Sequence, residues 1–168
     1  MVGAFIELMT PITFSCEATL PLPPDAVMQQ ILDVSEWPGF TGYGPIPGIQ
    51  SARFEVQTPE VVGSRIRVTN CDGSSHVEEI VEWQPPHRLK LVMSGFSPPL
   101  SRLASHFEES WELTPNATGT FAVRTFALYA KSLLGRIALV PISWLLRGAV
   151  QRHMRQMQEG RSTTAEVT

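Results

Sequence analysis

The side chains of this chain that could do acid–base chemistry are glutamates in two short runs. Two carboxyl groups can act as general acid and general base when their surroundings push their pKa values apart. Successive side chains of a strand point to opposite faces of a sheet, so each pair of adjacent glutamates would send one carboxylate inward. The runs are Glu78, Glu79 and Glu82, and Glu108, Glu109 and Glu112.

The apolar neighbours predict which carboxylate of each run faces inward. Glu109 alternates with Phe107 and Trp111, and Glu79 alternates with Val81 and Trp83. Apolar residues at every second position mark the buried face of a strand, so Glu79 and Glu109 are the predicted inward pair. They are the candidate catalytic residues.

A buried carboxylate needs a partner. Arg67 and Arg124 are the candidates. Such a group could anchor a ligand carbonyl or hydroxyl, act as a catalytic acid, or only form an internal salt bridge. If both strands instead turn these glutamates outward, the carboxylates are simply solvated.

Other kinds of chemistry find little support in the sequence. The four histidines share no short spacing, and Cys16 and Cys71 lie far apart, so we predict neither a metal site nor a redox pair. A Gly-x-Ser-x-Gly nucleophile elbow is absent from the sequence. We therefore expect no metal and no other cofactor.

Charge is unevenly distributed along the 168 residues. The formal net charge is −3 and the pI is near 5.8, which disfavours a general affinity for nucleic acid. Residues 1–112 carry six basic and fourteen acidic side chains, and residues 113–168 carry seven basic and two acidic ones. The basic C-terminal segment could contact lipid headgroups or rest on an acidic sheet surface.

Membrane insertion and secretion are not predicted. The first 14 residues have no basic region ahead of their apolar patch, so we expect a cytoplasmic protein. The apolar run over residues 132–146 contains Arg136 and Pro141 and is shorter than the roughly 20 apolar residues that span a bilayer.

Periodicity predicts the elements that would position these side chains. Residues 12–20 alternate as a half-buried strand, a helix begins at Pro24 and runs to Leu32, and a second short helix starts from Ser35 as N-cap and ends near Phe40. Residues 41–48 are predicted to be irregular. Six further strands are separated by turn residues, at residues 50–57, 64–70, 76–84, 88–95, 104–114 and 120–129.

The last predicted element is an amphipathic helix. Its apolar side recurs every three or four residues from Ile142 through Leu146 and His153 to Met157. Because proline removes a helical hydrogen bond, we expect a break at Pro141 between a short helix over residues 133–140 and the long one. The first piece could then gate whatever the second encloses.

Three stretches of the chain resemble one known superfamily. They are ILDVSEWPGFTGYGPIPGI, VVGSRIRVTNCDGSSHVEEIVEWQPPHRL and SWELTPNATGTFAVRTF, and they are similar to the START-like polyketide cyclase/dehydrase and lipid-transport superfamily (SRPBCC). The resemblance covers about residues 12–157. It implies an α+β helix-grip fold, in which a seven-stranded curved antiparallel sheet wraps around a long C-terminal helix and two short helices follow strand 1. We expect one domain over residues 1–168, with a flexible tail at 161–168.

The resemblance also implies an internal cavity between sheet and C-terminal helix. Loops at residues 44–48 and 96–100 would form its mouth. The side chains that the resemblance places around it are Trp37, Phe40, Tyr43, Met93, Phe96, Trp111, Arg124, Phe126 and Trp144.

Our first interpretation is a protein that binds a small hydrophobic or amphipathic ligand, such as a lipid, polyketide, quinone or aromatic molecule. The alternative is a cyclase, dehydratase or hydrolase that uses Glu79 or Glu109 as general acid or base. A third possibility is a lipid or quinone carrier that makes weak peripheral contact with a membrane through Arg136, Arg147, Arg152 and Arg155. Expected partners are a small hydrophobic molecule and at most one further copy of the chain, as monomer or homodimer.

Overall fold

One antiparallel sheet of seven strands and one long helix dominate the fold. The computed structural model of the chain describes residues 10–160. The sheet order is β1-β7-β6-β5-β4-β3-β2. The strands are β1 Ile12–Leu20, β2 Ile49–Val56, β3 Arg65–Asn70, β4 Ser75–Gln84, β5 Arg88–Ser94, β6 Ala104–Asn116 and β7 Gly119–Ala130.

Helices occupy the connection between β1 and β2, the connection between β5 and β6, and the segment after β7. A nine-residue helix, α1, spans Pro24–Leu32, and a 3-10 helix follows at Val34–Gly39. A single turn, α2, covers Leu100–Leu103, and the long helix α3 covers Leu133–Gln158. The predicted fold class is confirmed, and the predicted strands differ from the observed ones by one or two residues at their ends. The predicted tail at residues 161–168 lies outside the described residues.

Local sequence explains how the elements begin and end. Pro24 opens α1, where its missing N–H costs nothing. The 3-10 helix is capped by the Asp33 carboxylate, which accepts from the Ser35 amide at 3.1 Å. The prediction that Ser35 is the N-cap is therefore wrong. Asp33 lies two residues earlier, and its carboxylate caps the helix by accepting from the Ser35 amide.

The helix α3 continues through Pro141, so the predicted break there is wrong. A proline in a helix interior costs about 3 kcal/mol. Leu139 and Ser143 on either side of it are buried, and packing on both sides keeps the backbone helical. The Ser143 hydroxyl also donates to the Val140 carbonyl at 2.6 Å. A gate formed by a separate first piece is not present.

Packing of α3 leaves part of the sheet uncovered. The helix lies mainly against β1 and to a lesser extent against β7, and Ala149, Val150 and Met154 are buried in this contact. By length and composition alone α3 could cross a membrane, with a mean hydropathy of 1.5 in its most apolar stretch. In this fold its buried side contributes to the core. The inner faces of β4, β5 and β6 are left to line a cavity.

Candidate functional site

A cavity of about 320 Å³ lies between the inner face of the sheet, the 3-10 helix and α3. This volume falls at the lower end of the range for small-molecule sites. Its wall is mostly apolar. The apolar side chains include Ile31, Trp37, Phe40, Ile49, Leu91, Met93, Phe96, Phe107, Trp111, Phe126, Ile142, Leu146 and Met157.

The centre of the polar wall is built by two neighbouring strands. On β6, alternation turns Glu109 and Trp111 toward the inside, and on β7 it turns Arg124 and Phe126 the same way. The register pairs Trp111 with Arg124 and Glu109 with Phe126. Two aromatic and two charged side chains therefore meet on one patch of the inner face.

Arg124 and Glu109 form a buried ion pair on this patch. The Arg124 Nε donates to Glu109 Oε1 at 2.6 Å, and the Trp111 Nε1 donates to the same oxygen at 2.6 Å. The Arg124 guanidinium also lies 4.7 Å from the Trp111 ring centroid and 5.3 Å from that of Phe126. Charge, hydrogen bonds and aromatic faces together hold Arg124 in place. Arg124 is thus the predicted partner of Glu109, whereas Arg67 pairs with Glu55 on the surface.

Burial has the largest effect on the pKa of Glu109. Desolvation raises the pKa of Glu109 above its usual range, the Arg124 guanidinium opposes this, and the nearby Glu78 carboxylate adds to the rise. Among the described residues, two buried acidic groups, Glu78 and Glu109, thus line one cavity with one arginine. Such a group can exchange a proton nearer to neutral pH than a solvated glutamate can.

His153 extends the polar patch from α3. Arg124 Nη1 lies 3.0 Å from His153 Nδ1, and because a guanidinium only donates, Nδ1 must be the acceptor. Desolvation, followed by the charge of Arg124, lowers the pKa of His153 to about 3. The ring is therefore neutral at pH 7, with its proton on Nε2. His153 presents a hydrogen-bond donor at the cavity wall.

On β4 the inward carboxylate is Glu78. Glu78 is buried, and its Oε1 lies 3.0 Å from Nε2 of His76. Glu79 is exposed on the other face, so the prediction that it faces inward is wrong. The reason is a register shift between Ile80 and Glu82, which reverses the alternation within the strand.

Seven of the nine predicted lining residues surround the cavity. Tyr43 and Trp144 do not contribute to its wall. Tyr43 is half exposed, and its ring lies over Gly148 on α3. Trp144 is 72% exposed, because it lies two residues after Ile142 and so on the opposite side of the helix. The seven are Trp37, Phe40, Met93, Phe96, Trp111, Arg124 and Phe126.

Both predicted mouth loops reach the cavity. Ile46 and Pro47 contribute from the first loop, and residues 96–100 contribute from the second. The turn that leads into the first loop is tight: Gly42 has φ +76°, and a Cβ at this position would lie 2.2 Å from the Ile46 carbonyl oxygen. This turn requires glycine.

Several residues at the site were not predicted. The sequence did not indicate that Glu78 faces inward, because the apolar residues Val81 and Trp83 of β4 alternate with Glu79 instead. His153 and Leu146 lie on the inner apolar side of α3 that begins at Ile142, and this periodicity is a signal that sequence reasoning could have used. Within residues 10–160 no group of three His, Cys, Asp or Glu side chains is placed to hold a metal ion.

The family and the fold of the chain are recognisable from comparison with other proteins. Residues 11–159 match a family described as "Polyketide cyclase / dehydrase and lipid transport". Among curated proteins, none matches this sequence.

Solved structures share the fold at low sequence identity. Protein TTHA0849 from Thermus thermophilus is 16% identical with a TM-score of 0.66, over 88% of this chain and 95% of that one. Protein CV1439 from Chromobacterium violaceum is 16% identical with a TM-score of 0.62, over 89% and 96%. Ara h 8.0201 is 17% identical with a TM-score of 0.59, over 87% and 99%. These similarities show a common fold.

Proposed function

The chain belongs to the polyketide cyclase/dehydrase and lipid transport family, and on this premise we propose that it binds a small amphipathic molecule in the cavity between sheet and α3. The observation that carries the proposal is the wall itself, which is mostly apolar and carries a polar patch of Glu109, Arg124 and His153 at its centre. Removal of apolar area from water would drive binding at about 25 cal/mol per Å². The polar patch would set the orientation of the ligand.

The polar patch favours a ligand with an uncharged polar group. His153 offers a neutral donor, and Glu78 and Glu109 offer carboxylate acceptors. A ligand carboxylate would meet two buried acidic groups, while Arg124, the one arginine that the described residues place on the wall, is already bonded to one of them. A hydroxyl or carbonyl group avoids that repulsion and can use the donor and the acceptors together.

Native mass spectrometry of the full chain, purified from its own host, tests this proposal. We expect a retained small molecule that leaves on mild activation. Leu146→Trp should fill the cavity from α3 and remove the retained mass, whereas Val81→Trp, on the exposed face of β4, should leave it in place. Circular dichroism checks that both variants are folded. A retained mass that is equal in both variants would contradict binding in this cavity.

A second candidate function is general acid–base catalysis by Glu109. It is favoured by the raised pKa of this buried carboxyl group and by its place on the cavity wall beside Trp111 and Arg124. The same alternative through Glu79 is not supported, since that side chain faces solvent. Catalysis would require the ligand to be converted rather than retained.

Glu109→Gln separates the two functions. The amide keeps an oxygen acceptor for Arg124 and Trp111 but cannot exchange a proton at this position. If the protein is a binder, the variant retains the same ligand as the wild type. If it is an enzyme, the variant accumulates an unconverted molecule of different mass.

A further inference from the structure

The outer face of α3 carries large apolar side chains that remain open to solvent. Leu133 is 52% exposed, Leu134 79%, Ile137 62% and Trp144 72%. With about 3.6 residues per turn, these four share one side of the helix with the exposed Pro141. We call these five residues the apolar stripe. A contiguous patch of this kind on a folded chain marks an interaction surface.

Basic side chains continue the same helix toward its C-terminal end. Arg147, Arg152 and Arg155 are exposed, and α3 contains four arginines and no acidic residue. Within residues 10–160 none of these four arginines forms an ion pair with a carboxylate. Arg136 instead donates to the Thr10 carbonyl. Among the described residues, the helix therefore presents positive charge that no carboxylate pairs with.

The presence of both apolar and basic side chains on the exposed face of α3 determines which kind of binding partner fits it. A second copy of the chain would bring another positively charged helix against the first. An anionic lipid surface satisfies both parts, since the apolar side chains enter the boundary between headgroups and acyl chains and the arginines meet the phosphates. From Leu133 to Arg155 the face extends about 33 Å, at 1.5 Å per residue.

We propose that the apolar stripe and the arginines of α3 dock this protein on anionic lipid membranes, with α3 lying in the plane of the interface. The helix stays packed on the sheet, because Ala149, Val150 and Met154 on its other side belong to the core. Ile142 and Leu146 on the inner side line the cavity. Docking would thus bring the cavity within one helix diameter of the lipid surface, although it does not depend on what the cavity binds.

Vesicle flotation of the full chain tests the proposal. The probes are vesicles of phosphatidylcholine alone and vesicles of phosphatidylcholine mixed with anionic phosphatidylglycerol. We expect the wild type to float with the mixed vesicles at low salt and to be released as salt rises, because the arginine contribution is screened. It should bind the uncharged vesicles much more weakly.

Two pairs of substitutions separate the apolar and basic contributions. Leu134→Ser with Trp144→Ser should lower vesicle affinity at least about tenfold, and Arg152→Gln with Arg155→Gln should lower it about thirtyfold. The matched control is Val62→Ser with Val81→Ser, which removes exposed apolar side chains elsewhere. The control should bind as the wild type does.

Trp144→Phe provides a second measurement. It should keep the vesicle affinity but remove most of the fluorescence quenching caused by brominated acyl chains, because the other tryptophans are at least half-buried. The proposal is overturned if the wild type stays with neither kind of vesicle, or if the control loses binding as strongly as the stripe variant. It is also overturned if the stripe substitutions only dissociate a dimer in sedimentation, or if vesicles bind only after residues 1–9 are removed.

Discussion

Arg124 is the side chain on which the polar patch depends. It donates to Glu109 from Nε and to His153 from Nη1, and its guanidinium faces Trp111. No other positive group pairs with Glu109 among the described residues. One guanidinium therefore both opposes the effect of burial on the pKa of Glu109 and fixes the orientation of the imidazole.

Arg124→Met should destabilise the fold by about 3–5 kcal/mol at pH 7, the cost of leaving a buried charge unpaired. Urea unfolding followed by circular dichroism measures this free energy. Adding Glu109→Gln to the variant should recover much of the loss, because no charge is then left uncompensated. A loss below about 1 kcal/mol for Arg124→Met would mean that Glu109 is already neutral in the folded protein.

His153 should make the stability fall as the medium becomes acidic. Its pKa is about 3 in the folded chain against an ordinary value of 6.5, so the unfolded chain binds more protons between these values. Stability is therefore lost as pH falls from about 6.5 toward 3, by about 2–4 kcal/mol for this half-buried ring.

The comparison with His153→Asn isolates this effect. Asparagine offers an oxygen acceptor to Arg124 near the position of Nδ1 but does not titrate. The raised pKa of Glu109 contributes a slope of the opposite sign, which both proteins share. From pH 7 to pH 4 the unfolding free energy of the wild type should fall relative to that of His153→Asn, and parallel curves would show that His153 is not held neutral.

At the scale of elements, the alternation of apolar residues correctly predicted which side chains face inward wherever a strand is regular. On β6 it placed Glu109 and Trp111 inward, as the structure has them. On β4 it failed, because a single irregularity after Ile80 changes the parity and no residue type there announces it. The inward carboxylate is consequently Glu78, one position away from the predicted one.

The long helix shows a different limit of sequence reasoning. Pro141 has a strong local preference to end a helix, but tertiary packing of Leu139 and Ser143 outweighs it. The family resemblance placed Trp144 at the cavity. Its helical position, two residues from Ile142, already contradicted that assignment.

Two glycines of α3 should respond oppositely to alanine. A Cβ at Gly135 would lie 2.5 Å from the Leu103 carbonyl oxygen, whereas a Cβ at Gly148 would lie 3.1 Å from the half-exposed ring of Tyr43. Gly135→Ala should destabilise by about 1–3 kcal/mol through overpacking against α2. Gly148→Ala should be neutral or stabilise by up to about 1 kcal/mol, since the ring can move and alanine favours the helix.

Thermal and urea unfolding of the two variants measure this contrast. Because both substitutions make the same chemical change in the same helix, the difference between them reports only the contact that each position makes. Equal effects would show that the start of α3 is not fixed against α2.

At the scale of the whole molecule, the sheet and α3 enclose an apolar space that the chain itself does not fill. A ligand that binds only the folded chain stabilises it by about 2.7 kcal/mol at a free concentration one hundred times Kd. For a chain of this size that corresponds to a rise of about 5–10 °C in Tm. The neutral fluorophore N-phenyl-1-naphthylamine is a suitable probe, since its amine can donate to the buried carboxylates.

Calorimetry should show this rise in the wild type, together with increased fluorescence of the bound probe. Leu146→Trp should abolish both effects and Val81→Trp should preserve them, because only the first substitution occupies the space beside Met93 and Phe126. A rise in fluorescence without any change in Tm would indicate binding outside the cavity, for example on the exposed stripe of α3. Trp144→Ser then distinguishes the two locations, since it changes the stripe and leaves every cavity-lining residue in place.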